Sequence, residues 1–257
     1  MWRRIRIAIL LVILLFVALN TYLDRAYSTD WDTPLRVAVY PINGDGSPAS
    51  AGHINRLAQS DFLALEVFFK ERAVQYGVAL NPPVRFFLGR EIAELPPMPA
   101  AGASAPGIVW WSLRARYWAW TVPEPPRGAE PDIQLFVLYH DPERTRALPH
   151  SVGLTKGRFG IVNAFAALRL SGSNDTVLAH ELLHTLGATD KYDAHSNQPR
   201  YPDGYADPYA EPRYPQRSAE IMGGRIPLTA DESEIPESLR QVAIGPKTAV
   251  EVGWRDR

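Results

Sequence analysis

The fifteen residues "SNDTVLAHELLHTLG", positions 173–187, limit the fold more than any other part of this chain. Ser173, Asn174 and Asp175 are good helix N-cap residues, and Val177, Leu178, Leu182, Leu183 and Leu186 then recur at helical spacing until Gly187 stops the pattern. One helix therefore carries both His180 and His184. Four residues turn the chain by ~400°, so the two imidazoles lie one above the other on a single face, spaced to share one metal ion. Glu181 is displaced by ~100°, beside such an ion, where a carboxylate can take a proton from water. The leucines cover the opposite side. Gly187 can adopt positive φ and let the chain reverse, which brings Asp190 back toward the histidines as a third ligand. An ordinary amphipathic helix that happens to carry two histidines is the competing interpretation of HExxH alone.

The longer string "HELLHTLGATD", 180–190, is similar to the extended zinc-binding motif of the metzincin metallopeptidases, HExxHxxGxxH, in the version whose last histidine is an aspartate, as in snapalysin-like members. That family also has a tight turn carrying a methionine, some tens of residues after the motif, and Met222 in "AEIMGG" resembles it. The resemblance implies an α+β zincin domain: a twisted mixed sheet, long helices and an active-site helix. It implies one catalytic Zn2+ held by His180, His184 and Asp190, with Glu181 as general base in the hydrolysis of peptide bonds. An aspartate in place of a third histidine implies a less acidic water and a pH optimum shifted upward. The strand "GRFGIVNAFA" would correspond to the edge strand against which substrate lies extended, and "AGHINRLAQSDFLALEVFFKERAVQYG" to the family's first long helix. In order of elements the resemblance runs over roughly residues 35 to 257, but only 180–190 and Met222 are specific. One departure concerns the oxyanion: several metzincin groups have a tyrosine two residues after the methionine, where this chain has Gly224. Tyr192, Tyr205 and Tyr209 are the candidates for that task, and His195 is a candidate neighbour of the site that should stay out of contact with the metal. Latency through a cysteine-bearing pro-segment is not expected, since the chain has no cysteine.

Composition narrows the compartment and the partners. Lys and Arg total 27 against 28 Asp and Glu, with no basic block beyond the first residues, which gives no sign of nucleic-acid binding. The absence of cysteine excludes disulfides, a thiol nucleophile and a cysteine-ligated zinc. The N-terminus, "MWRRIRIAILLVILLFVALNTYLDRAYS", places Arg3, Arg4 and Arg6 before an unbroken apolar run from Ile7 to Leu19. This is the layout of a secretory signal. Taking Ile5 to Leu23 as a helix gives about 28 Å, roughly the hydrocarbon thickness of a bilayer. No clean small-x-small cleavage site follows, so residues 1–28 are expected to form an uncleaved transmembrane signal anchor with short linker, and residues 29–257 an extracytoplasmic catalytic domain. Cleavage would make the protein secreted. The partners expected are a protein or peptide substrate and the membrane.

The remaining segments predict mixed α and β structure. "PLRVAVYPI", "PVRFFLG" and "DIQLFVLYH" predict strands, "KTAVEVGW" a last short helix, and the stretch of about 192–220, rich in proline, tyrosine and aspartate, a long loop. "IVWWSLRARYWAW" predicts a helix whose Trp110, Leu113 and Tyr117, at i, i+3 and i+7, pack on the sheet, although its four tryptophans also suit a membrane interface or a ligand. His53, His140 and His150 are isolated and expected at the surface or in caps. Asp203 and Asp207 suit calcium, but turn chemistry explains them equally well. A different class of function stays open: a non-catalytic, zinc-stabilised binding module at the membrane surface, against which Glu181 counts because a structural zinc site needs no base. The anchor is directly testable. Full-length protein should sediment with membranes and retain its N-terminus, and mass spectrometry finding a mature start near residues 21–28 would refute anchoring while leaving export intact.

Overall fold

The computed structural model describes residues 31–100, 102–126, 130–154 and 158–255, with Arg6 alone before them. The apolar run therefore lies outside the described residues. Among those described, no helix is long and apolar enough to cross a membrane.

The fold is mixed α and β, built on a five-stranded sheet of order β2-β1-β3-β5-β4. Its strands are β1 (Leu35–Asn43), β2 (Val84–Leu88), β3 (Ile133–His140), β4 (Val152–Leu154) and β5 (Phe159–Phe165). β1, β2, β3 and β5 are mutually parallel, and β4 runs antiparallel along β5. A parallel sheet must be covered on both faces, which is why "LRVAVYPIN" is apolar almost throughout rather than alternating. Val37, Val39, Leu135, Val137 and Val162 point into one core, while Ala38, Tyr40, Ile42, Phe136 and Ile161 point into the other. α1 (Pro48–Ile54), α2 (Leu63–Gln75) and α4 (Ser171–Thr185) contribute to the first core, and α3 (Ala105–Thr121) to the second. Short pairs β6 (Ala219–Glu220) with β9 (Val242–Ala243), and β7 (Ile226–Pro227) with β8 (Ser233–Glu234), organise the C-terminal third, which ends in α5 (Pro246–Glu251).

Three expectations need correction. The long helix over about 51–78 is broken in two. Ser47 caps α1 by accepting the amide of Ser50 at 3.0 Å, the chain leaves the helix after Ile54, and Asp61 accepts the amide of Ala58 at 3.0 Å to start a 3-10 turn, Gln59–Phe62, that leads into α2. Polar side chains that helical periodicity ignores cause the break, and they are put to use: Gln59 and Glu66 hydrogen-bond the backbone of Phe86 and Leu88, covering the outer edge of β2. Second, "GRFGIVNAFA" is not an edge strand, because β4 lies outside it. Third, Trp110, Leu113 and Tyr117 are exposed, whereas Trp111, Ala115, Trp118 and Ala119 face the sheet. Both stripes have helical spacing, but only the second contains small residues that let the helix approach closely, with Trp118 edge-on to Phe136 at 4.6 Å between ring centroids.

Asp175, on α4, is half-buried, within electrostatic reach of Tyr139 and Asp61. Burial and the Asp61 charge push its carboxyl up from 3.8 to about 7. Between these two values the folded state holds a proton that the unfolded chain has released, so stability falls as pH rises through that window, by at most roughly 4 kcal/mol at about 1.36 kcal/mol per unit. Asp175→Asn, which cannot ionise, should flatten that dependence in urea unfolding measured from pH 4 to 8. An unchanged slope would show that the group is not buried against charge.

Candidate metal centre

α4 begins at Ser171, earlier than the cap expected at residues 173–175, and Asn174 has a different task there. Its amide accepts from the Phe165 amide and donates to the Phe165 carbonyl, both at 2.9 Å, fastening the helix to the end of β5. Leu178, Leu182, Leu183 and Leu186 fill the core beneath, so the opposite face is fixed toward a cleft.

On that face the rings of His180 and His184 sit 4.6 Å apart, nearly perpendicular. Nδ1 of His180 lies 2.9 Å from the carbonyl of Ile221, and Nδ1 of His184 lies 2.9 Å from the carbonyl of Ala188. A carbonyl only accepts, so each Nδ1 carries a proton, and Nε2 is the ring atom left facing the cleft, the one that offers a lone pair whenever the ring is neutral. Gly187, with φ +104°, reverses the chain as its sequence position implied. Asp190 returns to place Oδ1 3.3 Å from His180 Nε2 and 3.1 Å from His184 Nε2. These three groups offer donor atoms within 4.8 Å of one another, and they form the single such His/Asp/Glu group of three among the described residues.

Three lone pairs converging at these distances repel unless a cation, either a proton or a metal, lies among them. The charge balance expresses the same demand. Burial works against an imidazolium at His184, yet its hydrogen bond to Asp190 and the nearby Glu181 carboxylate outweigh that and raise its pKa. Burial likewise opposes ionisation of Asp190, but the two facing imidazoles hold its carboxyl far below the usual range. Two imidazoles and one carboxylate are the donor set that zinc takes in a catalytic site with an open position, so the residues fit the ion that the motif implies.

The turn after β6 supports this arrangement. Glu220 is fully buried; one carboxylate oxygen accepts the amides of Met222 (2.7 Å) and Gly223 (2.9 Å), and the other accepts the amide of Gly245 (3.0 Å) and the hydroxyl of Thr248 (2.6 Å). Burial pushes this carboxyl up against the pull of those donors. The clamp fixes Ile221, and hence the carbonyl that orients His180. Met222 is wholly buried in the core beside α4 and accepts the Lys191 amide at 2.8 Å. Lys191 in turn pairs with Glu251 of α5 at 2.7 Å, and Thr189 also binds Glu251, so the residues on both sides of Asp190 are tied down. Nothing in the local sequence marks Glu220, Lys191 or Glu251 as partners across such separations; the one signal is an acid among apolar residues, in "AEIM" and "AVEVGW".

A cavity of about 330 Å³ opens beside the histidines, and Glu181, buried in its wall, faces it together with Tyr192, Asn163, His150 and Arg225. Of the three candidate tyrosines only Tyr192 lines this cavity. Burial raises its phenol, and the carboxylates of Asp190, to which it hydrogen-bonds, and Glu181 raise it further. Tyr205 is buried elsewhere, its hydroxyl 2.8 Å from that of Tyr214, and Tyr209 stands in solvent; neither lines the cavity, because the loop folds on its own tyrosines. His195 is exposed and lies outside the metal group, its amide donating to Asp193 in a turn. Asp207 is likewise used in a turn with Tyr209 and Gln216, and no third carboxylate gathers with Asp203 among the described residues. His53 and His140 are buried, contrary to expectation: His53 packs on Tyr139, and His140 pairs with Asn163 at 2.8 Å. Asn163 in turn donates to the His150 carbonyl, fixing the cavity wall.

No protein-family model matches the chain, and no curated protein matches it.

The ligand set can be dissected by substitution. Asp190→Ala should strip or greatly weaken bound zinc, Asp190→His should restore it, and His195→Ala should leave it in place, as measured by metal content after dialysis. The converse pattern would put His195 in the coordination sphere and remove Asp190.

Proposed function

We propose that this protein is a zinc-dependent endopeptidase of metzincin-like type, held by its N-terminal run on the outer side of a membrane. The observation that carries this is the convergence of His180 Nε2, His184 Nε2 and Asp190 Oδ1, with both Nδ1 atoms already committed to carbonyls. A zinc ion bound by these atoms supplies Lewis acidity, lowering the pKa of water and polarising a peptide carbonyl.

The protein's own groups do the rest. Glu181, next to His180 in the cavity wall, takes a proton from the attacking water on its carboxylate and passes it to the nitrogen of the leaving amine. Keeping a carboxylate almost dry is costly, and a structural zinc site has no use for it. Tyr192, whose phenol keeps its proton, can turn its one O–H from the Asp190 carboxylate to the oxygen on which negative charge develops. The turn at Met222 supports this reading, because the carbonyl of the preceding residue, Ile221, accepts from Nδ1 of His180. Leu148, Val177, Ile221 and Ile235 give the cavity apolar walls that suit a peptide side chain.

Glu181→Gln separates base from ligand. Hydrolysis of casein or a peptide library should fall by ~10²–10⁴-fold with zinc content unchanged. Loss of zinc from this variant would make Glu181 a ligand. Stoichiometric zinc in the wild type without any cleavage would favour the binding module instead.

A further inference from the structure

The outer face of α3 is the least explained surface of the molecule. Trp110 is 65 % exposed, Leu113 54 %, Tyr117 67 % and Trp120 80 %, with Val109 beside them. At ~100° per residue these five fall in one stripe, opposite the face on which Trp111, Ala115 and Trp118 meet the sheet. Arg114 borders one edge of the stripe and Arg116 the other. The helix contains no acidic residue. Leu95 and Met98, also exposed, extend the apolar surface along the preceding segment, which Trp111 fastens by donating to the Pro97 carbonyl at 2.7 Å. A groove of about 600 Å³ runs between that segment and the helix, with Glu94 its one acidic lining residue and Arg114 its basic one. α3 is already bound to the sheet by its inner tryptophans, so folding has no need of this outer stripe, and a contiguous exposed patch of this kind marks a contact with something else.

We infer that this face lies on the interfacial layer of an anionic lipid bilayer. Tryptophan and tyrosine combine an apolar ring with a polar N–H or O–H, the pairing that partitions to the headgroup boundary, and two flanking arginines suit anionic headgroups. The occupant follows from the rest of the chain. The apolar run ends at Leu19, and the described fold resumes at Trp31, where the indole donates to the Val252 carbonyl at 2.8 Å. The eleven residues between span at most roughly 40 Å at ~3.3–3.6 Å each. A domain tethered so closely meets its membrane at high effective concentration, and a weak second contact is then enough to orient it. This rests on the run being membrane-inserted and is independent of the metal centre.

The chain has no cysteine, so single labels report single sites. Full-length Leu113→Cys and Val74→Cys proteins, each carrying a nitroxide, would be reconstituted in vesicles of phosphatidylcholine with one-third phosphatidylglycerol. Val74, 63 % exposed on α2 in the other layer, is the aqueous reference. The Leu113 label should collide several-fold more with oxygen and several-fold less with a nickel chelate than the Val74 label. Arg114→Glu with Arg116→Glu should move it back toward the reference. A Leu113 label as accessible to nickel as the reference overturns the inference. Shielding from both reagents overturns it too, because a second copy or the protein's own N-terminal run then covers the face. Failure of the full chain to float with vesicles overturns the anchor and this orientation together, and flotation reads that separately.

Discussion

Two hydrogen bonds decide what the cleft can do: Nδ1 of His180 to the Ile221 carbonyl and Nδ1 of His184 to the Ala188 carbonyl, each at 2.9 Å. They choose the tautomer, and so the atom each ring offers to the cleft. Much of the surrounding structure can be traced back from the two acceptors. The Ile221 carbonyl is held by a turn wound around the Glu220 carboxylate, which satisfies three backbone amides and one hydroxyl. The Ala188 carbonyl is held by the reversal at Gly187, where the Ala188 amide returns to the Leu183 carbonyl at 3.0 Å. Packing leucines under α4 would position a helix, but these bonds position two nitrogen lone pairs, which is a far tighter requirement.

The electrostatic consequence is a site with a surplus of negative charge. Glu181 and Asp190 lie beside the histidines and Glu220 next to Ile221, whose carbonyl meets His180, while Lys191, the nearby buried cation, is already paired with Glu251 and Arg225 stands in the cavity wall. Imidazoles in their neutral form add lone pairs, not charge. A divalent cation among Nε2, Nε2 and Oδ1 relieves both problems at once, while protons on the histidines relieve them only in part. Glu181 and Glu220 are buried carboxylates, each costly to desolvate; four donors offset that cost at Glu220, and a cation beside Glu181 would offset it there.

Residues separated by three or four positions were legible in the sequence; residues separated by tens were not. His180, Glu181, His184, Gly187 and Asp190 share one helix and one turn, so local geometry placed them. The strands were equally legible, because a strand buried on both faces is a run of apolar residues, as in "LRVAVYPI" and "DIQLFVLYH". The inner and outer faces of α3 were not. Trp110, Leu113, Tyr117 and Trp111, Ala115, Trp118 have equal claims by periodicity, and only the shape of the sheet around Phe136 selects the stripe with alanine in it. The break between α1 and α2 was hidden for a related reason: Gln59, Asp61 and Glu66 serve backbone groups, some of them on β2, a strand that sequence spacing does not bring near. Glu220, Asn163 and Glu251 were missed on the same account.

The two sides of the sheet therefore carry different burdens. On one side the first core reaches from Trp31 through α2 and α4 to Trp254, and near the cleft its buried Glu220 and Lys191 are tied to backbone amides, a hydroxyl or an opposite charge. That side needs rigidity, since displacement of a ring by a fraction of an ångström spoils the meeting of three donor atoms. On the other side a single helix covers β1, β3 and β5, and its inner face, Trp111, Ala115 and Trp118, suffices to close the core. The outer face is thereby left unconstrained by folding. An alanine or lysine would serve the fold there as well as Trp120 does, and would be better solvated, so the aromatic choice has its explanation outside the domain.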